Sequence, residues 1–230
     1  MIDDNPTIVQ FLADTITRRL GHEVTLIDDV AEVTPDLCAT LLPHLALVDL
    51  SFRASTRSGL DVLLLLDEHS PDTRLVPFTQ GDDAVADLLR DAWEALPLAS
   101  AISKSLPLDQ LLAVVEAVLR HGSAPPDPVL RPLLPAERSP WRSAASYSRL
   151  VHHAGHAKLW GALLVSEGDP SYEQLRQLTG LKINTLRNYR EQLVPELALH
   201  GLRNPTIREM QGFARRCRPL LTPHLDVVTR

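Results

Sequence analysis

The chain has 230 residues, 44% hydrophobic and 23% charged, with a formal net charge of −6. That length fits one large or two small globular domains, and no apolar run approaches the roughly 18 residues that cross a bilayer. Two distant cysteines, Cys38 and Cys217, lie outside any CxxC pair, which argues against a structural zinc or disulfide framework and suits a reducing cytoplasm.

The N-terminal "MIDDNP" is acidic and lacks a signal-peptide layout. In "NPTIVQFLADTITRRLG", Asn5 is an N-cap, Pro6 takes the first helical position and Gly21 follows the end. Ile8, Leu12 and Ile16 share one face of that helix. "EVTLID" (23–28) reads as a strand, and Thr34–Pro35 opens a second helix. "LALVDL" (45–50) reads as a buried strand ending beside Asp49, followed by the helix "GLDVLLLLDEH". A strand "RLVPFT" (74–79), a helix over 82–96, a short strand "SAISK" (100–104) and a helix over 108–122 complete the series. Strands alternating with helices predict an α/β doubly wound parallel sheet, covered on both faces.

Charge is distributed unevenly. Residues 1–119 hold 7 Lys+Arg against 20 Asp+Glu, whereas residues 120–230 hold 16 against 9. An acidic half and a basic half predict two domains with different partners, the basic one compatible with nucleic acid. The stretch 121–141 carries six prolines where the sign changes. Proline continues neither helices nor central strands, so a semi-stiff linker is expected. The expected division is 1–122, a linker at 123–146, and a helical domain at 147–230.

In a doubly wound sheet, ligands bind at the carboxyl ends of the strands. Asp3, Asp4, Asp49, Thr79 and Lys104 all fall on that rim. Three carboxylates there repel one another unless a cation lies among them, and hard oxygen donors suit Mg²⁺. A lysine adds fixed positive charge and a threonine a hydroxyl, so the set would accept a phosphoryl group on one carboxylate.

These residues resemble the receiver domain of two-component response regulators. The match is carried by the acidic pair in "IDDN", Asp49 in "LVDL", Thr79 in "PFTQ" and Lys104 in "ISKS", at intervals of 45 (from Asp4), 30 and 25 residues. The resemblance implies a flavodoxin-like fold whose first strand is truncated to Met1 and Ile2. It implies that Asp49 is the phospho-acceptor, that Thr79 and Lys104 contact the phosphoryl group, and that Asp3, Asp4, Asp49 and the Ser51 carbonyl hold Mg²⁺. Several positions depart from the pattern. No Met-Pro step follows the acceptor, Ala101 replaces an aromatic switch residue, Gln80 follows the threonine, and Asp49 to Gly59 spans ten residues.

In the basic half, residues 157–202 predict three helices, with Leu159, Leu163, Leu164, Leu175 and Leu178 pointing inward. Ser171 caps the second helix and Gly180 makes the turn into the third, a helix-turn-helix layout. Leu186, Tyr189 or Arg190, and Leu193 lie at core spacing. Lys182, Asn184, Thr185, Arg187, Asn188 and Arg190 form the polar set, with side chains suited to base edges and phosphates. "TLRNY" resembles the recognition-helix start of LuxR-type output domains. In the tail, Asn204–Pro205–Thr206 opens a helix that Pro219 and Pro223 would end. His152 and His156 have a metal-compatible spacing without an evident third ligand.

The expected function is therefore that of a cytoplasmic response regulator, not an enzyme. A sensor histidine kinase would phosphorylate it, and it would bind promoter DNA as a homodimer through the helices at 82–96 and 108–121, with no membrane contact. Two alternatives stay open: an atypical receiver switched by a ligand or partner, and an adaptor whose basic half binds protein rather than DNA.

Overall fold

A computed structural model describes residues 1–52, 55–137 and 144–229. The chain forms two compact units, Met1–Glu137 and Arg138–Arg230. The boundary falls inside the proline-rich stretch. Residues 138–143 of the expected linker, and Arg53 and Ala54 of the loop after Asp49, lie outside the described residues.

In the first unit, β1 (Leu45–Val48), β2 (Arg74–Thr79) and β3 (Ile102–Ser103) pair in parallel in that order. Ile2 bridges both Val48 and Ile27 in parallel. It donates its N–H to the Leu47 carbonyl at 2.9 Å, and its own carbonyl accepts from Asp49 N. The rows thus run Ile27, Ile2, β1, β2, β3, which is the flavodoxin-like order. The strand expected over 23–28 is reduced to its bridge at Ile27. This short first row lies at the centre of the sheet, with Ile2 bonded to both neighbours.

The helices follow their local signals. α1 (Pro6–Leu20) is capped by the Asn5 side chain and stops at Gly21, whose φ of 73° is a left-handed conformation that glycine adopts cheaply. α2 (Pro35–Leu41) starts at Thr34. α3 (Gly59–His69) opens with a Ser58–Asp61 capping box, α4 (Asp83–Ala95) with Asp82, and α5 (Leu108–His121) ends at Gly122. Leu12, Ile16, Leu47, Val76, Phe78, Ile102, Leu112 and Val115 share one buried cluster. This core fixes the strands whose ends carry the site.

The proline-rich stretch is not a free linker over its first part. Within the first unit, Ala124, Pro125 and Asp127 bond to residues 99–103, and a 3₁₀ turn forms at Arg131–Leu133.

The second unit is all-helical: α6 (Ala154–Val165), α7 (Tyr172–Thr179), α8 (Ile183–Leu199), α9 (Ile207–Arg216) and α10 (Arg218–Thr229). Trp160, fully buried, donates to the Leu150 carbonyl at 2.7 Å, and Leu159, Leu163, Leu186, Leu193, Leu197 and Phe213 pack the interior. The helix opened by Thr206, α9, ends at Arg216 ahead of Pro219, and a further helix, α10, begins at Arg218. Pro219 sits in the first turn of α10, where a missing N–H costs nothing. Pro223 lies inside α10. Leu178 is 53% exposed, not inward, because the eight-residue α7 buries only Leu175.

Candidate functional site

β1, β2 and β3 deliver the carboxyl-end side chains to one cavity of about 400 Å³, lined by Asp4, Asp49, Ser51, Thr79, Gln80 and Lys104 among others. Asp3 lies beneath it, 1% exposed. Carboxylate oxygens of Asp3, Asp4 and Asp49 come within 4.8 Å of one another. All five rim residues predicted from sequence therefore meet here. Thr79 is itself buried, and its carbonyl accepts the Lys104 N–H at 2.8 Å, tying the two loops together.

Lys104 is the electrostatic centre of the site. Its Nζ lies 2.7 Å from Asp3 Oδ2 and 2.8 Å from Asp49 Oδ2. An ammonium between two buried carboxylates offsets much of their desolvation. The compensation at Asp49 is incomplete. Burial raises its pKa above the usual carboxylate value, outweighing the Lys104 bond, while the Asp3 charge pushes it further up. Lys104 shifts up as well: burial lowers its pKa, but the hydrogen bonds and charges of Asp3 and Asp49 together prevail. The site thus stores an unfavourable negative charge that a cation or covalent capture of the Asp49 oxygen would relieve.

The donor set fits a divalent cation. A Mg²⁺ with bonds of about 2.1 Å places its ligands about 3 to 4 Å apart, a small contraction from the spacing present. Asp3 Oδ1 is already taken by the Asn5 N–H at 2.9 Å, which fixes that carboxylate's rotamer and leaves Oδ2 to face Lys104. Ser51 differs from expectation in its visible contact: its N–H donates to Asp49 Oδ1 at a long 3.4 Å.

Two features carried no functional signal in the sequence. Gly59 backs onto Asp49, and a Cβ there would sit 2.0 Å from the Asp49 carbonyl oxygen. Asp82 brings a further carboxylate to the cavity wall while capping α4. The first shows in sequence only as a spacing and the second only as a cap.

In the second unit, α7 and α8 meet at Gly180 in the left-handed conformation and form the helix-turn-helix. Lys182, Asn184, Arg187 and Asn188 are exposed, Thr185 partly so. The Arg187 guanidinium lies 5.4 Å from the Tyr172 ring centroid, which orients it without burying it. Arg190 has another task. It donates to the Pro205 carbonyl at 2.7 Å and to Asn204 Oδ1 at 2.8 Å, so it holds the turn into α9 and is not a free contact residue. His152 precedes the helix, and His153 caps α6 by accepting from Gly155 N and His156 N. Among the described residues, the only metal-competent group of acidic, His or Cys side chains is the aspartate trio.

No family model matches the chain, and no curated protein matches it. Solved structures do. A structure of two RcsB dimers bound to two parallel DNAs aligns at a TM-score of 0.50 and 14% identity, covering 96% of this chain and 94% of that one. The shared fold is a parallel α/β unit followed by an all-helical unit with a helix-turn-helix. The Salmonella typhimurium RcsB response regulator also aligns, at a TM-score of 0.48 and 15% identity over 92% of this chain and 96% of that one. A Burkholderia pseudomallei response regulator, solved with a phosphorylated aspartic acid, calcium ion and citrate, aligns at 0.42 and 19% over 81% and 94%. No candidate membrane-spanning helix occurs among the described residues.

Proposed function

We propose that this chain is a transcription regulator switched by phosphorylation of Asp49, with a sensor histidine kinase as donor and promoter DNA as target. The observation that carries the reading is the convergence of Asp3, Asp4 and Asp49 oxygens on a cavity shared with Thr79 and Lys104. A fold alone does not license a function; this constellation supplies the chemistry.

Asp49 Oδ attacks the phosphorus of a phosphorylated donor, the P–O or P–N bond to the leaving group breaks, and an acyl phosphate forms. Asp3, Asp4 and Asp49, with the Ser51 carbonyl, would hold Mg²⁺, which when bound neutralises charge on the incoming phosphoryl oxygens. Lys104 turns from its two carboxylate partners towards those oxygens, and the Thr79 hydroxyl donates to another. The gain is differential: an ammonium and a hydroxyl in a partly buried site bind a dianion more strongly than a monoanion.

Lys182, Asn184, Thr185, Arg187 and Asn188 form the DNA-facing set. Asn and Arg suit adenine and guanine edges, and Lys and Thr suit phosphates. Pairing as a homodimer would present two such helices about one duplex turn apart. Intact-mass measurement after incubation with acetyl phosphate and Mg²⁺, beside Asp49→Asn, tests the first half. An adduct absent from the variant supports the reading, and no adduct on folded protein overturns it. A salt-dependent mobility shift on duplex DNA tests the second half.

A further inference from the structure

We propose that residues 124–134 are a latch, docked on the open edge of β3, that reads the state of the Asp49 site and passes it to the chain joining the two units. The proposal rests on Asp49 being the acceptor, and its test separates the two ideas.

The latch lies along residues 99–101, which lead into β3, and its Asp127 side chain reaches β3 itself. Ala124 N donates to the Ala99 carbonyl at 2.9 Å, Ser100 Oγ to the Pro125 carbonyl at 3.1 Å, and Asp127 N to the Ala101 carbonyl at 3.0 Å. Pro125, Pro126 and Pro128 offer no N–H, so this edge cannot recruit a further strand. The anchor is Asp127, 2% exposed. Its Oδ2 accepts the Ser103 N–H in a short bond. Its Oδ1 accepts Val129 N at 2.7 Å and Leu130 N at 3.0 Å. Three backbone donors satisfy a buried carboxylate, which explains why a charge is tolerated there.

The latch grips the molecule beside the two residues that would bind the phosphoryl group. Ser103, held by Asp127, immediately precedes Lys104. Leu130, fully buried, packs on Gly81, two residues after Thr79; a Cβ on Gly81 would come within 2.5 Å of Leu130 Cδ2. Lys104 N is bonded to the Thr79 carbonyl, so the two gripped loops are coupled. A phosphoryl group on Asp49 draws Lys104 and Thr79 into the cavity. That displacement pulls Ser103 from Asp127 and shifts the floor under Leu130. A close-packed contact of this kind is kept or lost rather than gradually stretched. Phosphorylation therefore releases the latch and lends residues 124–134 to the connection between the units.

Such coupling is reciprocal in equilibrium binding. The test uses the full chain and hydrogen exchange of peptides covering 126–134. Three samples are compared: untreated protein, protein with acetyl phosphate and Mg²⁺ whose intact mass is recorded in parallel, and unphosphorylated Lys104→Met. The methionine keeps an unbranched side chain of similar length while removing the ammonium, and peptides from β1 and α5 report whether the fold survives. Exchange at Asp127, whose N–H bonds across to the Ala101 carbonyl, is expected to rise about tenfold in the phosphorylated fraction and in Lys104→Met, within the usual range of two-site coupling. Leu130→Ala should tighten beryllium trifluoride binding by a similar factor. An adduct with unchanged latch exchange overturns the latch and leaves the proposed function standing. No adduct overturns the proposed function. In that case Lys104→Met decides the latch: unchanged exchange refutes it, and selective acceleration supports it.

Discussion

Removing the Lys104 ammonium should be the most costly single change in the first unit. Its Nζ contacts two carboxylates at 2.7 and 2.8 Å. At an effective dielectric of about 20, each contact contributes about 6 kcal/mol of Coulomb attraction, offset by several kcal/mol of desolvation per ion. In Lys104→Ala the attraction vanishes while Asp3 and Asp49 stay buried within 4.8 Å of each other. Their mutual repulsion is then about 3 to 4 kcal/mol at the same dielectric. We expect a net loss of about 3 to 5 kcal/mol in metal-free buffer, as for other buried pairs stripped of one partner. Urea unfolding followed by circular dichroism reads the loss, with hydrogen exchange of β1 and α5 peptides assigning it to the first unit. Millimolar Mg²⁺ should return part of it, because binding to the fold alone stabilises by mass action. In an Asp49→Asn background the same substitution should cost about half as much, since one carboxylate no longer needs a partner. A loss below about 1 kcal/mol, or an equal loss in both backgrounds, would refute the claim that one ammonium neutralises two buried charges.

Three further outcomes follow from the geometry. Burial raises the Asp49 pKa, so the fold binds more protons than the unfolded chain just above the ordinary carboxylate value, and stability falls as pH rises through that window. Asp49→Asn should therefore raise the thermal midpoint at pH 7 without metal, with the gain vanishing below about pH 4. His156, in contact with His152, His153 and Tyr189, titrates at about 4 rather than 6.5 because burial disfavours the imidazolium, partly opposed by its Gln192 bond. Here the unfolded chain binds the extra proton, so the second unit is at full strength above pH 6.5. It loses about 2 kcal/mol on descent to pH 4, allowing for screening by water; His156→Leu should flatten that slope in a pH series of unfolding midpoints. Arg187→Ala should weaken duplex binding by about 1 to 3 kcal/mol and relax base preference at the position it reads. Arg190→Ala should instead lower unfolding stability by about 1 to 2 kcal/mol through the turn at Asn204–Pro205, a contrast that fluorescence anisotropy and urea titration resolve.

What the sequence discloses depends on how local the cause is. Asn5, Pro6 and Gly21 bracket α1 because capping acts within one turn, and "RLVPFT" coincides with β2 because a buried parallel strand is apolar almost throughout. The five rim residues were legible because each must sit at a strand end, which ties chemistry to spacing. Failures arose where the deciding partner is distant. Arg190 falls in both the core-spaced and the polar set by sequence, and Asn204 and Pro205, 14 and 15 residues on, hold its guanidinium in the fold. The proline-rich stretch read as linker because prolines cannot donate. Its docking bonds come instead from Asp127 and from loop atoms of 99–103. "EVTLID" has strand composition, but its ladder pairing is a single bridge at Ile27, with the Thr25 carbonyl accepting from the Met1 amino group. Gly59 shows nothing in sequence of the 2.0 Å approach that forbids a side chain.

On the proposed function, the contrast between Asp49 and Asp127 suits one carboxylate to signalling and the other to anchoring. Both are nearly sealed from water. Asp127 accepts three backbone N–H groups whose positions are fixed by the chain, so its charge is satisfied as it stands. Asp49 has one long backbone donor and one lysine that it shares with Asp3, and burial still pushes its pKa up. An under-satisfied carboxylate favours events that cover its charge, whether cation binding or esterification; a satisfied one resists them. Ser103 and Lys104, adjacent in sequence, belong one to each carboxylate. A change at the restless site is therefore delivered, through a single peptide unit, to the point where the latch is held.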